Sequence, residues 1–333
     1  MINVILPDRR QRRLPFFLAM EEWVAKRLDA CNYIFTWIVA PTVICGRNQD
    51  IEKEVNLPYC RQHGIDVVRR RSGGGCVYAD HNNIMISFIT PDTDVETTFA
   101  QFTNRIAGQL RAIGINAEAT GRNDIMVEGR KISGNAFLHL PGRSIIHGTM
   151  LYDTDPESMR NAITPSRAKL ESKRVLSVEN RVITAHELLP DMTINVFHNA
   201  LLSGLITGQY LMSDADIREV EAIEQEYYRP KWLWRQKHDE TRPTHIDGVG
   251  EFVVRVDIDE AGLIRNILLK GDFFETSDSL SSVLNCLMGI KPEYEPIKKA
   301  LADTDIRNII AGLSTDNFIN LITDKNNHYG TDR

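Results

Sequence analysis

The sequence lacks the features that would place it in several large classes at once. It has no basic excess: 39 Lys and Arg stand against 45 Asp and Glu, a formal charge of −6. A protein that draws its affinity from neutralising phosphates carries the opposite balance, so nucleic acid is not an expected partner. Cysteine is scarce and odd in number, with no Cys-x-x-Cys among Cys31, Cys45, Cys60, Cys76 and Cys286. A disulfide framework and a cysteine-based zinc site are both unexpected, and the usage suits a reducing compartment. No apolar run approaches the ~18 residues that span a bilayer. The charges of the opening MINVILPDRRQRR follow a very short apolar stretch, the reverse of a signal peptide. The expected location is cytoplasmic, with no membrane association. No P-loop, HExxH or GxSxG string occurs, and there is no internal repeat.

What is there is an ordinary globular composition, 42% hydrophobic and 25% charged over 333 residues, enough apolar surface for a real core. That length suits two domains. The spacing of Phe16, Met20, Trp23 and Arg27 predicts one amphipathic helix. The stretch from Tyr33 to Asn48 is β-rich, and Leu57 to Gly64 reads as a short helix closed by glycine. IDVVRRR, CVYAD and NNIMISFI read as strands. Val95 to Ile113 has helical spacing. Asp124 to Leu140 and Ile145 to Tyr152 read as strands, with tight turns at Glu128-Gly129 and Pro141-Gly142. Beyond Asp155 the chain reads as mostly helical through Gln225. The turn-forming stretch 241–248 reads as a linker. After it, EFVVRVDIDEAGLIRNILLKG predicts a β-hairpin and the remainder helices, a small α+β unit.

Three segments carry candidate chemistry. The first is Arg69-Arg70-Arg71-Ser72-Gly73-Gly74-Gly75-Cys76-Val77-Tyr78. Three successive glycines cost conformational entropy, which suggests that bare backbone meets something closely. Amide groups in a concave turn bind anions, so a phosphate or carboxylate is the natural guest. A flexible hairpin tip beside a solvated basic run is the other reading. The second segment runs from Gly121-Arg122-Asn123-Asp124 to Lys131-Ile132-Ser133-Gly134-Asn135-Ala136. A hairpin about Glu128-Gly129 would bring Asp124 and Lys131 near one another. An ammonium there would relieve repulsion between two anions, as oxyanion stabilisation does. The third is His147 on a strand, which by itself reads as a satisfied structural histidine.

The strings RRRSGGGCVY, GRNDIMVEGRKISGNAF, HGTMLYD and SVENRV, in this order and at similar spacing, resemble the lipoate–protein ligase A family over roughly residues 15 to 240. The resemblance implies an α+β fold shared with biotin–protein ligases: a mixed β-sheet flanked by helices, with a small C-terminal α+β accessory domain. The implied division is a catalytic domain over 1–240, the linker 241–248, and the accessory domain over 249–333. The implied reaction joins lipoate and ATP into lipoyl-AMP with release of pyrophosphate. The lipoyl group then passes to a specific lysine of a lipoyl domain, in 2-oxoacid dehydrogenase complexes or the glycine-cleavage H protein. By motif position, Arg70, Gly75, Cys76, Val77 and Tyr78 would contact ATP. Asn123 and Asp124 would sit at the phosphate end, Asp124 as the ligand of Mg2+. Lys131 would be catalytic, touching both ATP and lipoate, with Arg70, Gly75 and His147 on the lipoate side. Apolar positions around Tyr33 to Ile44 and Ile84 to Ile89 are candidates for the slot of the lipoyl tail. Cys76 stands where the family usually has Ala.

Two rival readings stand beside this one. An octanoyl or lipoyl transferase of the same fold would use a Cys nucleophile, and Cys76 lies by the glycine loop. A non-enzymatic lipoyl-domain binding protein would use Arg9, Arg10, Arg12, Arg13 and Arg69 to Arg71 as a basic patch.

Overall fold

The structure is a computed structural model and describes residues 1–92, 94–120, 123–163, 182–234, 243–277 and 279–329. Its strands are β1 (Ile2–Ile5), β2 (Tyr33–Trp37), β3 (Thr42–Cys45), β4 (Asp66–Arg69), β5 (Val77–Ala79) and β6 (Asn83–Thr90). Then follow β7 (Ala117–Ala119), β8 (Asp124–Val127), β9 (Arg130–Leu140), β10 (Arg143–Leu151) and β11 (Gly208–Leu211). The C-terminal part adds β12 (Thr244–Ile246), β13 (Gly250–Ile258), β14 (Ile264–Gly271) and β15 (His328–Tyr329).

Eight strands form one mixed sheet in the order β11-β1-β2-β6-β10-β9-β8-β7. Strand side chains alternate between faces, and the cores follow that alternation. Tyr33, Phe35 and Trp37 pack against helix Leu14–Arg27 on one side, where the Phe17 ring stacks on Trp37 at 5.0 Å. Ile34, Ile86 and Phe88 pack against helix Val95–Ala112 on the other. Every residue of β6 is buried, as expected of a strand covered on both faces. Asp94 caps the second helix by accepting from the Thr97 amide at 2.7 Å. The mixed sheet flanked by helices is the architecture anticipated above.

Some elements differ from the reading of the sequence. Helix Leu14–Arg27 is not amphipathic: Leu14 to Ala25 are all buried, Glu21 and Glu22 among them. The sheet covers one side and helix Asp214–Tyr227 covers another. β1 and β11 were not anticipated. They pair in parallel, Ile2 opposite Gly208 through Ile5 opposite Leu211, across two hundred residues of chain. The stretch 241–248 is not all connector. Thr244–Ile246 pairs with β13 as the edge strand of the C-terminal sheet. An edge strand covered on little of its surface needs few large apolar residues, which is why it resembles a loop.

A second, smaller sheet, β4-β3-β5, carries the glycine loop between β4 and β5. The C-terminal unit has its own core, with Phe252 stacked on Phe273 at 5.0 Å among Ile297, Phe318 and Ile322. It leans on the glycine loop. Gly74 N donates to Phe273 O at 3.0 Å, and Gly271 N donates to Asn48 O at 2.9 Å. Asn48 Nδ2 also donates to Glu275 Oε1 at 2.6 Å. Among the described residues no helix is long and apolar enough to cross a membrane.

Candidate active site

A cleft of about 1250 Å³ opens between the main sheet, the glycine loop and the C-terminal unit. It exceeds the usual volume of a pocket for one small ligand, so it has room for two substrates. Arg70, Gly75, Cys76, Val77, Tyr78, Asn123, Asp124, Lys131 and His147 all line it. The residues proposed from separate motifs are therefore brought to one place.

The three arginines before the glycines do not form a solvated patch. Arg69 is fully buried. Its Nε donates to Leu233 O at 2.9 Å, and its Nη1 donates to the carbonyls of Gly46, Arg47 and Gln49 at 2.9, 3.1 and 2.7 Å. Arg70 donates from Nε to Ser72 Oγ, from Nη1 to Ile44 O, and from Nη2 to the carbonyls of Gly73 and Gly75 at 2.6 and 2.8 Å. Burial pulls its guanidinium below the ordinary value, opposed by the neighbouring Cys76 and Cys45. Arg71 pairs with the buried Glu22 at 3.0 Å and lies over the rings of Tyr227 and Trp232. A guanidinium has five donors in a rigid fork, which suits it to bracing irregular backbone. Arg12 and Arg13 are likewise paired, with Asp8 and Asp66. The basic-patch reading fails for Arg69 and Arg70, which shape the loop from inside the protein, while Arg9 and Arg10 remain exposed.

The glycines are needed for close approach, as the sequence suggested, but here the approaching groups are protein. A Cβ on Gly73 would collide with Phe273 O, and one on Gly46 with Gly74 O. Gly74 has φ +84°, and a Cβ there would lie 2.8 Å from the Phe274 ring.

Lys131 sits where a β-bulge interrupts the β8–β9 ladder, between the pairs Ile125–Ser133 and Met126–Lys131. Bulges re-aim side chains beside functional sites. Here the side chain folds over Gly134, whose missing Cβ leaves the space it occupies. The ammonium lies 2.7 Å from Asp124 Oδ1. The Glu128-Gly129 turn anticipated from the sequence has positive φ at both residues, 51° and 74°. Such a turn tightly reverses two strands, which is what brings Asp124 and Lys131 together. Asn123 is clasped to β9: its Nδ2 donates to Asn135 O at 3.2 Å, and Asn135 Nδ2 donates back to Asn123 O at 2.9 Å.

His147 is nearly buried with both ring nitrogens engaged. Nδ1 contacts Glu21 Oε2 at 2.7 Å, and Nε2 contacts Ser72 Oγ at 2.7 Å. Arg70 donates to the same Ser72 oxygen, which ties the histidine to the brace of the glycine loop. The Ser87 hydroxyl donates to Glu21 Oε1, and Trp37 Nε1 donates to Ser87 Oγ at 2.9 Å. A continuous hydrogen-bonded chain thus runs from Trp37 to the glycine loop. With both nitrogens engaged, His147 offers the cleft its ring rather than a free nitrogen.

Trp37, Ile44 and Met85 form part of the apolar wall, within the strands singled out for a lipoyl slot. Tyr78 is held as a neutral phenol: burial, with Asp80 beside it, pushes it up to about 12. Leu18, Phe274, Asp272 and Arg307 also line the cleft and were not anticipated. Leu18 was masked by its place in an apolar helix. The last three come from the C-terminal unit, where motif support was weak. Gly121, Arg122 and residues 177–181 of the motif strings lie outside the described residues.

Residues 15–206 match the family of the lipoyl protein ligase A/B catalytic domain, and residues 236–322 match the bacterial lipoate protein ligase C-terminus. The chain belongs to the lipoate–protein ligase family. This ligase is 35% identical to lipoate–protein ligase 1 of Staphylococcus aureus, over 92% of this chain and 95% of the relative. It superposes on the solved structure of LipL1 of P. falciparum in complex with lipoate, with TM-score 0.74 and 19% identity. That match covers 97% of this chain and 98% of the other. It also resembles the structure of lipoate–protein ligase A bound with ATP, with TM-score 0.59 and 21% identity over 70% of this chain and 97% of that one. At these identities the solved structures show the fold. The activity of the enzyme is ligation of lipoate to protein, as for its relatives. The basic-patch binder and the Cys-nucleophile transferase are set aside on these matches.

Proposed function

We propose that the ligase works in two half-reactions within this one cleft. ATP and lipoate first form lipoyl-AMP and pyrophosphate, and the lipoyl group then passes to the lysine of a lipoyl domain. The observation that carries this is the meeting of the Lys131 ammonium with the glycine loop and an apolar wall in one cleft. Attack of a carboxylate on the α-phosphate joins two anions. A cation held between them stabilises the charge that develops. Lys131 does this from its seat over Gly134, and Asp124 holds the ammonium in place until substrates arrive. Gly75, Cys76, Val77 and Tyr78 face the nucleotide, and Arg70 sets the loop carbonyls rather than reaching out itself. Gly74 N–H serves Phe273 O in this state, so its use by a phosphate requires that contact to open. The lipoyl tail lies along Trp37, Ile44 and Met85, against the ring of His147.

The structure also bears on Mg2+. Among the described residues no three His, Cys, Asp or Glu side chains cluster to hold a metal. Asp124 offers one hard carboxylate in the cleft, and Mg2+ is typically held by one or two carboxylates plus substrate phosphates. The residues therefore fit an ion that comes with the nucleotide, with Asp124 its protein ligand. When bound it would neutralise phosphate charge.

The proposed acceptors are the lipoyl domains of 2-oxoacid dehydrogenase complexes and the glycine-cleavage H protein, and the proposed location is the cytoplasm. The test is direct. The purified chain is incubated with lipoate, Mg2+ and an unmodified lipoyl domain, with and without ATP, and the intact domain is weighed. The expected result is a gain of one lipoyl group that requires ATP. No gain with any of several lipoyl domains and H proteins overturns the proposal.

A further inference from the structure

We infer that Cys45 and Cys76 form a reversible oxidation site, at which a peroxide closes a disulfide that locks the glycine loop onto β3. The inference rests on the reading of that loop as part of the nucleotide site.

The two cysteines are cross-strand neighbours. β3 and β5 pair antiparallel with Thr42 opposite Ala79, Val43 opposite Tyr78 and Ile44 opposite Val77. The next positions in that register are Cys45 and Cys76. Their sulfurs lie 3.3 Å apart and neither is in a disulfide. Directly opposed residues of an antiparallel pair have Cα separations that a disulfide can bridge. The two differ in access: Cys76 lines the cleft, whereas Cys45 is fully buried behind it. That division gives one thiol to meet an oxidant and one to resolve the product.

The surroundings favour this pair over the other cysteines. Arg70 donates to Ile44 O and Gly75 O, the carbonyls just before each cysteine, so one buried guanidinium stands by both sulfurs. Cys60 is also near Cys45, but burial pushes its thiol up and its sulfur faces Ala162 O.

The chemistry balances with a peroxide as oxidant. The Cys76 sulfur attacks one oxygen of hydrogen peroxide, the O–O bond breaks, and the proton the thiol gives up goes to the departing hydroxide, so a sulfenic acid and water result. The Cys45 sulfur then attacks the sulfenic sulfur, the S–O bond breaks, and a second water leaves with the Cys45 proton. Two thiols are oxidised and one peroxide is reduced. Closing the bond brings the sulfurs to about 2.05 Å. The sulfurs, 3.3 Å apart as thiols, must close by about 1 Å, and the strain falls on the loop, where Gly46 already packs too closely under Gly74 for any Cβ. Displacements of about 1 Å at a site of positioned substrates cost on the order of a hundredfold in rate.

The experiment treats the reduced full chain with hydrogen peroxide. It maps disulfide-linked peptides without reductant and measures lipoate-dependent pyrophosphate release from ATP. The expected result is a Cys45–Cys76 linked peptide with at least a tenfold fall in rate, both reversed by dithiothreitol. Cys45→Ala should retain its starting rate and form no linkage. Without the resolving thiol, its Cys76 should pass to sulfinic acid, which dithiothreitol does not restore. Cys45 remaining fully alkylatable after the rate has fallen would overturn the inference. So would a complete linkage with the rate unchanged. If the reduced chain releases no pyrophosphate, the nucleotide reading fails, while the peptide map still decides whether the pair closes.

Discussion

Replacing Lys131 by alanine is expected to slow ATP-dependent lipoylation by about 10²–10³-fold, with almost no change in melting temperature. The loss follows from removing an ammonium proposed to meet both reacting anions; deleting a single stabilising group at a developing charge costs about that much. The stability expectation follows from exposure. The Lys131 and Asp124 side chains are each about a third exposed, at 34% and 28%. Pairs so screened contribute at most about 1 kcal/mol. Lys131→Arg should rescue little, because a planar guanidinium does not reproduce a compact ammonium folded over Gly134. Pyrophosphate release and thermal unfolding measured on the same preparations check the pair of outcomes. An alanine variant that lipoylates at the normal rate would remove Lys131 from the chemistry.

Arg69→Met is expected to do the reverse and act first on stability. The guanidinium is fully buried and donates to four carbonyls, those of Gly46, Arg47, Gln49 and Leu233. Methionine fills part of the space but leaves those acceptors without this donor. Each buried group so stranded costs about 1–3 kcal/mol, and removing a buried charged hub costs about 3–5 kcal/mol in all. For a unit of this size that corresponds to a fall in melting temperature of roughly 10 °C. The same carbonyls fix the turn that floors the glycine loop, so activity should fall as well. Urea unfolding followed by fluorescence reads the first effect. A melting temperature within about 2 °C of the parent would show that Arg69 is not a brace.

Much of this architecture is local and was therefore legible. The hairpin about Glu128-Gly129 puts Asp124 and Lys131 on facing strands, and a tight turn can be seen in a short string. The stretch Asn83–Thr90 shows its burial on both faces by lacking polar alternation. Other features depend on partners far along the chain. β1 and β11 hold each other as parallel strands, and neither has a pattern strong enough to announce itself. The inward turn of Arg69 answers carbonyls at residues 46 to 49 and 233, which no local pattern reveals. A run of three arginines looks the same whether solvated or buried. The Cys45–Cys76 neighbourhood likewise needed the strand register, since nothing in their spacing suggests it. The C-terminal wall of the cleft, Phe274 and Arg307 among it, arises from docking between two separately cored units.

The most direct test of the central claim is a crystal structure of the ligase with a non-hydrolysable lipoyl-adenylate analogue. The expected result places the Lys131 ammonium within about 2.7–3.2 Å of both the phosphate and the acyl carbonyl oxygens, with the apolar tail along Trp37 and Met85. An analogue bound with Lys131 still turned to Asp124 and touching neither oxygen would contradict the account.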